Sequence, residues 1–291
     1  MNNFEKNITF VIVSFKSSHI IEKCIQSINS NIKIVVVENS DNVFVKKYLE
    51  NKFSNVEVVI AKKNLGYGKG NNLGISKVKT RYVFILNPDT ILERNCLNEL
   101  SKAQIYLKDD FTILAPNLLN NYGYFSIRKN NLKNKILEVD YVKGFAILIN
   151  LKKINFKKIF DESFFLFLEE IDLCKRIKNL GGKIFVALNS KIQHSGKQAS
   201  EYSLNVELCR NWHWMWSLFY YNYKHFGFFI AYKVTISKFF SSVFKLFFAL
   251  VFFNKKILLI HCYRLSGLFN AFLKNPLGLD QIIFNTIYKI L

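Results

Sequence analysis

A single carboxylate, Asp89, lies just beyond the apolar run of residues 82–86, with Asn87 and Pro88 between them. Short apolar runs that end at a Pro are typical of covered parallel strands, and the ligand crevice of an α/β sheet lies beyond such strand ends. The segment therefore predicts chemistry at Asp89. Asn, Pro and Asp are also ordinary turn formers, so a simple turn is the alternative interpretation.

A second group of acids, Glu169, Glu170 and Asp172, follows the apolar residues 164–168. Adjacent carboxylates in apolar surroundings repel each other and are partly desolvated, which raises the affinity of one of them for a proton, as a general base requires. The alternative is that the acids complement the dipole of a helix that begins there. His194 ends a later short strand, and a lone His is more often a solvated or core residue than a ligand.

Two further segments favour a nucleotide ligand. Glu38 ends the apolar run of residues 32–37, where its carboxylate could bind a base or a ribose or simply form a turn. Residues 64–74 contain glycines at alternate positions, which let a backbone approach a ligand closely, and a helix that opens near Asn71 favours a phosphate at its N-terminus. The segment is not a dinucleotide fingerprint, because Asn71 stands in the place of the third Gly and the loop follows the third strand.

The elements that must position these residues alternate between strand and helix. Apolar runs at residues 8–14, 32–37, 56–61 and 82–86 are separated by segments with helical spacing of apolar residues, which predicts a mostly parallel, doubly wound α/β sheet. Beyond residues 112–114 the strands become shorter, as at 141–149 and 183–188, and a helix over 169–180 is stopped by Gly181 and Gly182. A mixed second half is predicted.

Composition limits the partners of the chain. Its 291 residues carry 41 Lys and Arg against 21 Asp and Glu, a formal charge of +20, which attracts phosphate groups. No zinc finger, basic heptad region or aromatic ribonucleoprotein motif is visible in the sequence, so we expect no nucleic-acid partner. The five cysteines form no Cys-x-x-Cys pair, and residues 8–13 are too short for the apolar core of a signal peptide, so a reducing, cytoplasmic location is predicted.

Beyond about residue 206 the composition shifts to aromatic residues and Lys. Lys233, Lys238 and Lys245 interrupt the apolar run, and a spanning helix needs about 20 largely uncharged residues. We therefore expect a domain over residues 1–205, followed at 206–291 by amphipathic helices that lie in a membrane interface. A single tilted span over residues 226–253 is the alternative.

Considered together, the motifs resemble those of family 2 glycosyltransferases with the GT-A fold, most closely the bacterial rhamnosyltransferase-like branch. The resemblance covers roughly residues 8–200. It is carried by VIVSF with VVVENSDN, by NLGYGKGNNLGI, by ILNPDT, and by FLEEIDLCKR followed by QHSG.

The resemblance implies a role for each motif. The paired-acid motif implies that Glu170 is the catalytic base, with Glu169 and Asp172 orienting the acceptor or the base. Where relatives carry Asp-x-Asp, this chain has Asn87, Pro88 and Asp89. Asp89 and His194 would then hold a divalent cation. The nucleotide sugar would contact the following set: Ser14, Phe15, Glu38, Asn64, Gly66, Gly68, Asn71, Asn87 and Gly144.

The function implied is an inverting, metal-dependent transfer of a hexose or deoxyhexose from a UDP- or dTDP-linked sugar to an acceptor hydroxyl, with Mg²⁺ or Mn²⁺ as cofactor. The basic, aromatic C-terminal region suggests a lipid-linked or lipopolysaccharide-type saccharide acceptor. It also suggests an anionic membrane surface as a partner, with the protein peripheral on the inner face of the cell membrane. The alternatives are a non-catalytic membrane-surface scaffold and a sugar nucleotidyltransferase, although the latter would be expected to carry a Gly-rich basic loop after its first strand.

Overall fold

The computed structural model describes residues 3–119, 135–196 and 199–273, together with the backbone of residues 125–127. The described chain forms two compact units. The first unit contains residues up to 161 and residues 169–201, and the second contains residues 162–168 and those from 202 onward. The predicted boundary at residue 205 lies close to this division, but no pattern in the sequence indicated that residues 162–168 belong to the second unit. Residues 274–291 of the predicted C-terminal region lie outside the described residues.

The first unit alternates strands and helices along the chain, with a short 3-10 turn at Leu151–Lys153. Its helices are α1 (Asn3–Lys6), α2 (Ile21–Gln26), α3 (Val43–Lys52), α4 (Tyr67–Ile75), α5 (Cys96–Tyr106) and α6 (Glu169–Asn179). Its strands are β1 (Ile8–Ser14), β2 (Lys33–Glu38), β3 (Val56–Ile60), β4 (Tyr82–Leu86), β5 (Thr90–Leu92), β6 (Ile113–Leu118), β7 (Phe125–Ile127), β8 (Ile136–Val142), β9 (Ala146–Asn150) and β10 (Ile184–His194).

These strands form one sheet in the order β3-β2-β1-β4-β9-β6-β10-β8-β7, with β5 pairing with β10. The first four strands are parallel to one another, whereas β9 is antiparallel to both β4 and β6. In the parallel register Ser14 lies opposite Glu38, so both side chains lie at the same edge of the sheet. Asp89 follows β4 at that edge.

The sheet is covered on both faces, which explains why its central strands β1, β4 and β9 are buried along their whole length. Successive residues of β1 point to opposite faces, so that Phe10 and Ile12 enter one hydrophobic core and Val11 enters the other. All seven residues of β1 are buried. The apolar run at residues 8–14 was therefore a correct prediction of a central strand.

The predicted start of α4 was wrong by four residues. The helix begins at Tyr67 instead of near Asn71, so Gly68, Gly70 and Gly74 lie inside it. A Cβ atom at Gly74 would lie 2.4 Å from Val11 Cγ1, and one at Gly70 would lie 3.0 Å from Val13 Cγ1. The glycines are therefore needed for close packing of the helix on β1, a requirement that the alternating pattern in the sequence does not distinguish from a ligand loop.

The second half of the sheet also differs in detail from the prediction. The short, irregular strands predicted at 141–149 are β8, which begins five residues earlier, and β9, and a turn that contains Gly144 separates them. The two predicted short segments around 183–188 and 192–194 are one long strand, β10, with an irregularity between Ala187 and Lys191 where it pairs with β6. This irregularity breaks the apolar alternation and so hid the continuity of the strand.

The second unit contains three long helices, α7 (Leu204–Phe226), α8 (Phe228–Val251) and α9 (Lys255–Phe272). Their common core includes Trp212, Met215 and Trp216 of α7 and Tyr263 of α9. Helix α8 contributes mainly small side chains to the buried side, namely Ala231, Thr235, Ser242 and Ala249.

The large side chains of α8 are on its outer side. Phe240, Phe244 and Phe247 are each at least 60% exposed, and Val251 is 51% exposed. Spacings of four, three and four place these residues on one helix face. By length and composition α8 is able to cross a membrane, with a hydropathy of 1.6 over its most apolar window. The three lysines in this part of the sequence suggested that charges would interrupt the apolar surface of the helix, but Phe240, Phe244, Phe247 and Val251 form an exposed apolar face without them.

Candidate functional site

Asp89 lies in a tight turn between β4 and β5. The turn is held by backbone hydrogen bonds, in which Asn87 N–H donates to Phe145 O at 2.9 Å and Thr90 N–H donates to Asn87 O at 3.1 Å. The Asp89 side chain is 2% exposed, and within the described part of the chain neither of its carboxylate oxygens accepts a hydrogen bond. Asp89 is therefore a buried acceptor of the kind that a cation or a donor group of a ligand would satisfy.

His194 approaches the same carboxylate from the end of β10. The antiparallel pairing of β5 and β10 places His194 opposite Thr90, and the His194 Nε2 atom lies 3.2 Å from Asp89 Oδ1. The imidazole stacks on the Phe145 ring at a centroid distance of 4.6 Å. A hard oxygen ligand beside an imidazole suits Mg²⁺ or Mn²⁺. Among the described residues no three His, Cys, Asp or Glu side chains converge, so the two predicted ligands form a pair.

The paired acids begin α6. Glu169 and Glu170 are 4% and 9% exposed, and Glu169 Oε2 has no hydrogen-bond partner among the described residues. The two residues before them, Phe167 and Leu168, have φ values of 72° and 67°. This left-handed backbone is unfavourable for non-glycine residues and fixes the direction in which the helix starts.

Burial changes the acidity of both glutamates. Desolvation, followed by the neighbouring Glu170 carboxylate, raises the pKa of Glu169 well above its ordinary value. Desolvation also raises the pKa of Glu170, although Lys143 and backbone hydrogen bonds from Ile171 and Gly144 oppose the change. One member of the pair therefore has an increased affinity for a proton, as the sequence predicted.

Tyr67 and the Gly144 turn connect the paired acids to Asp89. Tyr67 Oη donates a hydrogen bond to Gly144 O at 2.5 Å. A Cβ atom at Gly144 would lie 3.4 Å from Glu170 Cβ. The ring of the next residue, Phe145, stacks on the His194 imidazole. Desolvation and the charges of Glu169, Glu170 and Asp89 together raise the pKa of Tyr67. The Gly144 turn thus adjoins the paired acids directly and, through Phe145, His194 and Asp89, and the action of these residues in one site stays a prediction.

Tyr67 and Phe145 were missed in the sequence. Tyr67 follows Gly66 and Phe145 follows Gly144, and both glycines were predicted site residues. Because glycine allows unusual backbone conformations near a ligand, the residue after each of them could have been predicted to lie at the site as well.

Asp172 has a different environment from the other two acids. It is fully buried and its Oδ2 atom pairs with Arg176 Nε at 2.7 Å. The same guanidinium donates to Ile159 O at 2.6 Å and lies over the Phe156 ring. Asp172 is therefore held in a structural ion pair, and its predicted role in orienting the acceptor or the base stays a prediction.

The predicted nucleotide residues lie at the ends of β1 and β2. Ser14 is fully buried and Phe15 is partly buried after it. The Glu38 carboxylate accepts a hydrogen bond from Ser40 N–H at 2.9 Å, so its own turn already uses one oxygen. The turn interpretation of Glu38 is therefore confirmed, and its binding of a base or a ribose stays a prediction.

Asn39, the residue after Glu38, joins this edge to the loop before α4. Its Nδ2 atom donates to Asn64 Oδ1 at 3.0 Å and to Gly66 O at 3.1 Å, while its Oδ1 atom accepts from Leu65 N–H at 2.8 Å. Gly66 has a φ of 75° and its N–H donates to Asn64 Oδ1. Asn64 and Gly66 are thus brought beside Glu38 by a network of amide groups.

Several predicted site residues share one property, a buried polar side-chain atom for which the described part of the chain provides no hydrogen-bond partner. These atoms are Ser14 Oγ, Asn71 Oδ1, Asn87 Oδ1, both Asp89 carboxylate oxygens and Glu169 Oε2. Buried polar atoms normally have partners, because leaving one without a partner costs about 1–3 kcal/mol. Their concentration among these residues indicates a site for a polar ligand. Gly68, in contrast, packs against Phe160 and Glu169.

Comparison with known proteins gives a consistent result. A family model described as glycosyl transferase family 2 matches residues 9–164. The low-salt glycan biosynthesis hexosyltransferase Agl10 of Haloferax volcanii is 28% identical over 140 residues, which are 40% of this chain and 44% of that protein. The chain thus matches less than half of the length of this curated relative.

A solved structure shows the same architecture. The crystal structure of GalNAc-T7 with UDP, GalNAc and Mn²⁺ superposes with a TM-score of 0.53 at 13% identity, over 64% of this chain and 43% of that one. The crystal structure of S. aureus TarS 1-349 in complex with UDP-GlcNAc has a TM-score of 0.47 at 15% identity, over 71% and 66% of the two chains. The GT-A fold predicted from the motifs is confirmed, including its α/β sheet and a C-terminal helical region with an apolar helix.

Proposed function

The chain belongs to glycosyl transferase family 2, and from this premise we propose that it transfers a hexose or deoxyhexose, with inversion, from a nucleoside diphosphate sugar to an acceptor hydroxyl. The observation that carries the proposal is the buried Asp89 carboxylate, which accepts no hydrogen bond within the described chain and lies beside His194. The paired acids reach the same site through Tyr67 and Gly144. The hexosyltransferase named among the relatives supports a six-carbon sugar.

We assign the role of general base to Glu170. Its carboxylate has an increased proton affinity through burial, while Lys143 and backbone hydrogen bonds keep the ionised form accessible. A base with this balance can accept the acceptor proton as the hydroxyl attacks the anomeric carbon. Glu169, with the higher proton affinity, is assigned to orient the acceptor or the base, together with Asp172.

The residues present fit a divalent cation. Asp89 provides two buried oxygens that accept no hydrogen bond within the described residues, and His194 provides a nitrogen atom beside them. Mg²⁺ or Mn²⁺ held there would offset the negative charge that develops on the leaving diphosphate.

The nucleotide part of the donor is assigned to the edge formed by β1 and β2. Ser14 Oγ and Asn87 Oδ1 would gain hydrogen-bond partners from a ribose or a diphosphate, and Phe15 would contact the base. The first-turn amides of α4, which begins at Tyr67, are positioned as phosphate donors beside Asn71. Both UDP and dTDP fit this assignment.

We propose that the acceptor is a saccharide attached to a lipid, and that the protein associates with an anionic membrane surface on the cytoplasmic side. The support is the outward apolar face of α8, defined by Phe240, Phe244, Phe247 and Val251, combined with small residues on its buried side. Small side chains at helix contacts and large apolar ones outside are typical of helices in lipid. The formal charge of +20 favours anionic headgroups.

The test is a panel of UDP- and dTDP-linked sugars, in which Mn²⁺-dependent thermal stabilisation and release of the nucleoside diphosphate are measured. We expect one donor to stabilise the wild-type protein by several degrees and to be turned over, because ligand at about 100 times its Kd contributes about 2.7 kcal/mol. Asp89→Asn should abolish the Mn²⁺-dependent part, and Glu93→Gln, at the residue directly after β5, serves as the matched control. Stabilisation by no sugar nucleotide, with or without Mn²⁺, would overturn the proposal, and binding without turnover would favour a non-catalytic scaffold.

A further inference from the structure

The seven residues before the paired acids, 162–168, fold as part of the second unit, and α7 holds them through a row of aromatic contacts. The Phe165 ring stacks on the His213 imidazole with centroids 4.3 Å apart and an interplanar angle of 19°. The Phe167 ring meets Trp214 edge-on at 5.5 Å, and Phe164 meets Tyr220 at 4.9 Å. Each of the three phenylalanines is therefore fixed by a different aromatic residue of one helix.

The backbone of the segment is held as well. Ser217, which is fully buried, donates a hydrogen bond from its Oγ atom to Leu166 O at 2.8 Å. The Arg210 guanidinium lies 5.9 Å from the Phe167 ring centroid. The segment is thus attached to α7 at successive residues by its side chains and by a main-chain carbonyl.

Residues 167 and 168 show why such an attachment is needed. Both are non-glycine residues in the left-handed region, with φ values of 72° and 67°. Such a backbone is unfavourable for non-glycine residues and persists only where the surroundings hold it. The next residue is Glu169, so the direction of the first turn of α6 depends on how residues 167 and 168 are held.

The chemistry of His213 suits this structural role. Burial lowers the pKa of His213 to about 3, so its ring is neutral at physiological pH and can stack on Phe165 as an aromatic group. The opposite side of α7 packs on the other helices, as Phe219 contacts Phe228 and Phe272. The face of α7 that carries His213, Trp214 and Ser217 is therefore distinct in its contacts from the face that builds the helical core.

We propose that His213 and Ser217 of α7 are positioning residues for the general base, because they clamp residues 162–168 and so fix the first turn of α6, where Glu169 and Glu170 lie. This inference rests on the proposed function in one respect, the assignment of the base to that turn. It assigns to the C-terminal helices a part in catalysis in addition to any contact with a membrane.

Four variants of the full-length protein test the clamp. His213→Ala removes the stack on Phe165, Ser217→Ala removes the hydrogen bond to Leu166 O, and His213→Phe restores an aromatic ring. Phe219→Leu is the matched control, because it alters the core side of the same helix. For each variant we would measure the thermal midpoint, the hydrogen exchange of the peptide spanning residues 163–175, the Kd for UDP with Mn²⁺, and turnover of the sugar nucleotide that the wild-type protein uses.

We expect His213→Ala and Ser217→Ala to speed hydrogen exchange in the 163–175 peptide and to lower kcat. The loss of kcat should be about tenfold or more for His213→Ala, because misplacement of a reacting group by about 1 Å can lower the rate about 100-fold. The Kd for UDP should change by less than about twofold, since misplacement affects reaction rather than nucleotide binding. His213→Phe should restore both exchange and kcat, and Phe219→Leu should leave both close to wild type even if its thermal midpoint falls.

The outcomes separate the two proposals. Unchanged exchange in both alanine variants, or equal effects in Phe219→Leu, would overturn the clamp. Faster exchange with unchanged kcat would overturn the positioning of the base by the clamp. If the wild-type protein turns over no sugar nucleotide but the exchange pattern is as expected, the proposed function fails while the clamp on α6 stands.

Discussion

The first unit packs most of its large apolar side chains against the two faces of its sheet but buries several polar atoms without partners among the described residues, whereas α8 of the second unit exposes several large apolar side chains. In the first unit the described residues leave Ser14 Oγ, Asp89 Oδ1 and Asp89 Oδ2 without hydrogen bonds. In the second unit Phe240, Phe244 and Phe247 of α8 are each at least 60% exposed.

Each unit is therefore suited to a different kind of partner. A buried carboxylate that accepts no hydrogen bond is costly until a cation or a donor group reaches it, so the first unit is suited to a polar, phosphate-bearing ligand. A continuous exposed apolar face is costly in water and favourable in lipid, so the second unit is suited to an apolar surface. These two requirements fit an enzyme that joins a soluble donor to an acceptor anchored in a membrane.

The largest expected effect comes from the base in the polar site. Glu170→Gln should lower turnover about 10²–10⁴-fold, because a positioned general base contributes about that factor. Binding of UDP with Mn²⁺, measured by calorimetry, should remain close to wild type. Glu57→Gln on the exposed edge strand β3 is the control for the same chemical change. Full turnover in the Glu170→Gln variant would contradict the assignment of the base.

A smaller effect is expected for the buried acid Asp172, because its carboxylate already pairs with a charged group of the protein, Arg176. Arg176→Ala should lower the free energy of unfolding by about 3 kcal/mol, because it leaves the buried Asp172 carboxylate without its charge partner. Lys178→Ala on the same helix removes an ion pair with the half-exposed Glu138 and should cost less than about 1 kcal/mol. Denaturant titrations of both variants measure the difference. Equal losses would show that Asp172 is no more dependent on its partner than a surface acid.

The apolar face of the second unit should decide membrane association. Replacement of Phe240, Phe244 and Phe247 by Ser should weaken cosedimentation with phosphatidylglycerol vesicles by about tenfold or more, since each buried ring contributes about 1.5–3 kcal/mol in full transfer. A control with Val43, Phe44 and Tyr48 replaced by Ser removes exposed apolar groups from α3 of the first unit. Equal binding of the two triple variants would reject α8 as the membrane contact.

The smallest effect concerns pH. The folded protein holds the Glu169 proton more tightly than the unfolded chain, so wild-type stability falls as pH rises from about 4.5 towards the raised pKa of the buried carboxyl. Glu169→Gln cannot ionise and should lose this part of the decline. Its thermal midpoint should therefore exceed that of the wild-type protein by a few degrees at pH 8 and by less at pH 4. A constant difference between pH 4 and pH 8 would show that the acid is not destabilised by ionisation.

Much of the first unit was predictable from local pattern. The apolar runs at 8–14, 32–37 and 82–86 correspond to strands. They could be recognised because a strand that is buried on both faces is a short, continuous run of apolar residues in the sequence. The start of α4 was not predictable, since its glycines serve contacts with Val11 and Val13 that lie more than fifty residues away. The continuous strand β10 was hidden by its irregularity at Ala187 and Lys191.

The alternation of strands and helices, the polar residues at strand ends and the aromatic, basic character of the C-terminal region can be recognised in the amino-acid sequence, because these are properties of adjacent residues. The three-dimensional fold was needed to show how close His194 lies to Asp89, that Tyr67 bonds to Gly144, and that Asp172 pairs with Arg176. It was also needed to show that α8 exposes several of its phenylalanines. Strand register and helix packing set these contacts, and both depend on residues distant in the chain.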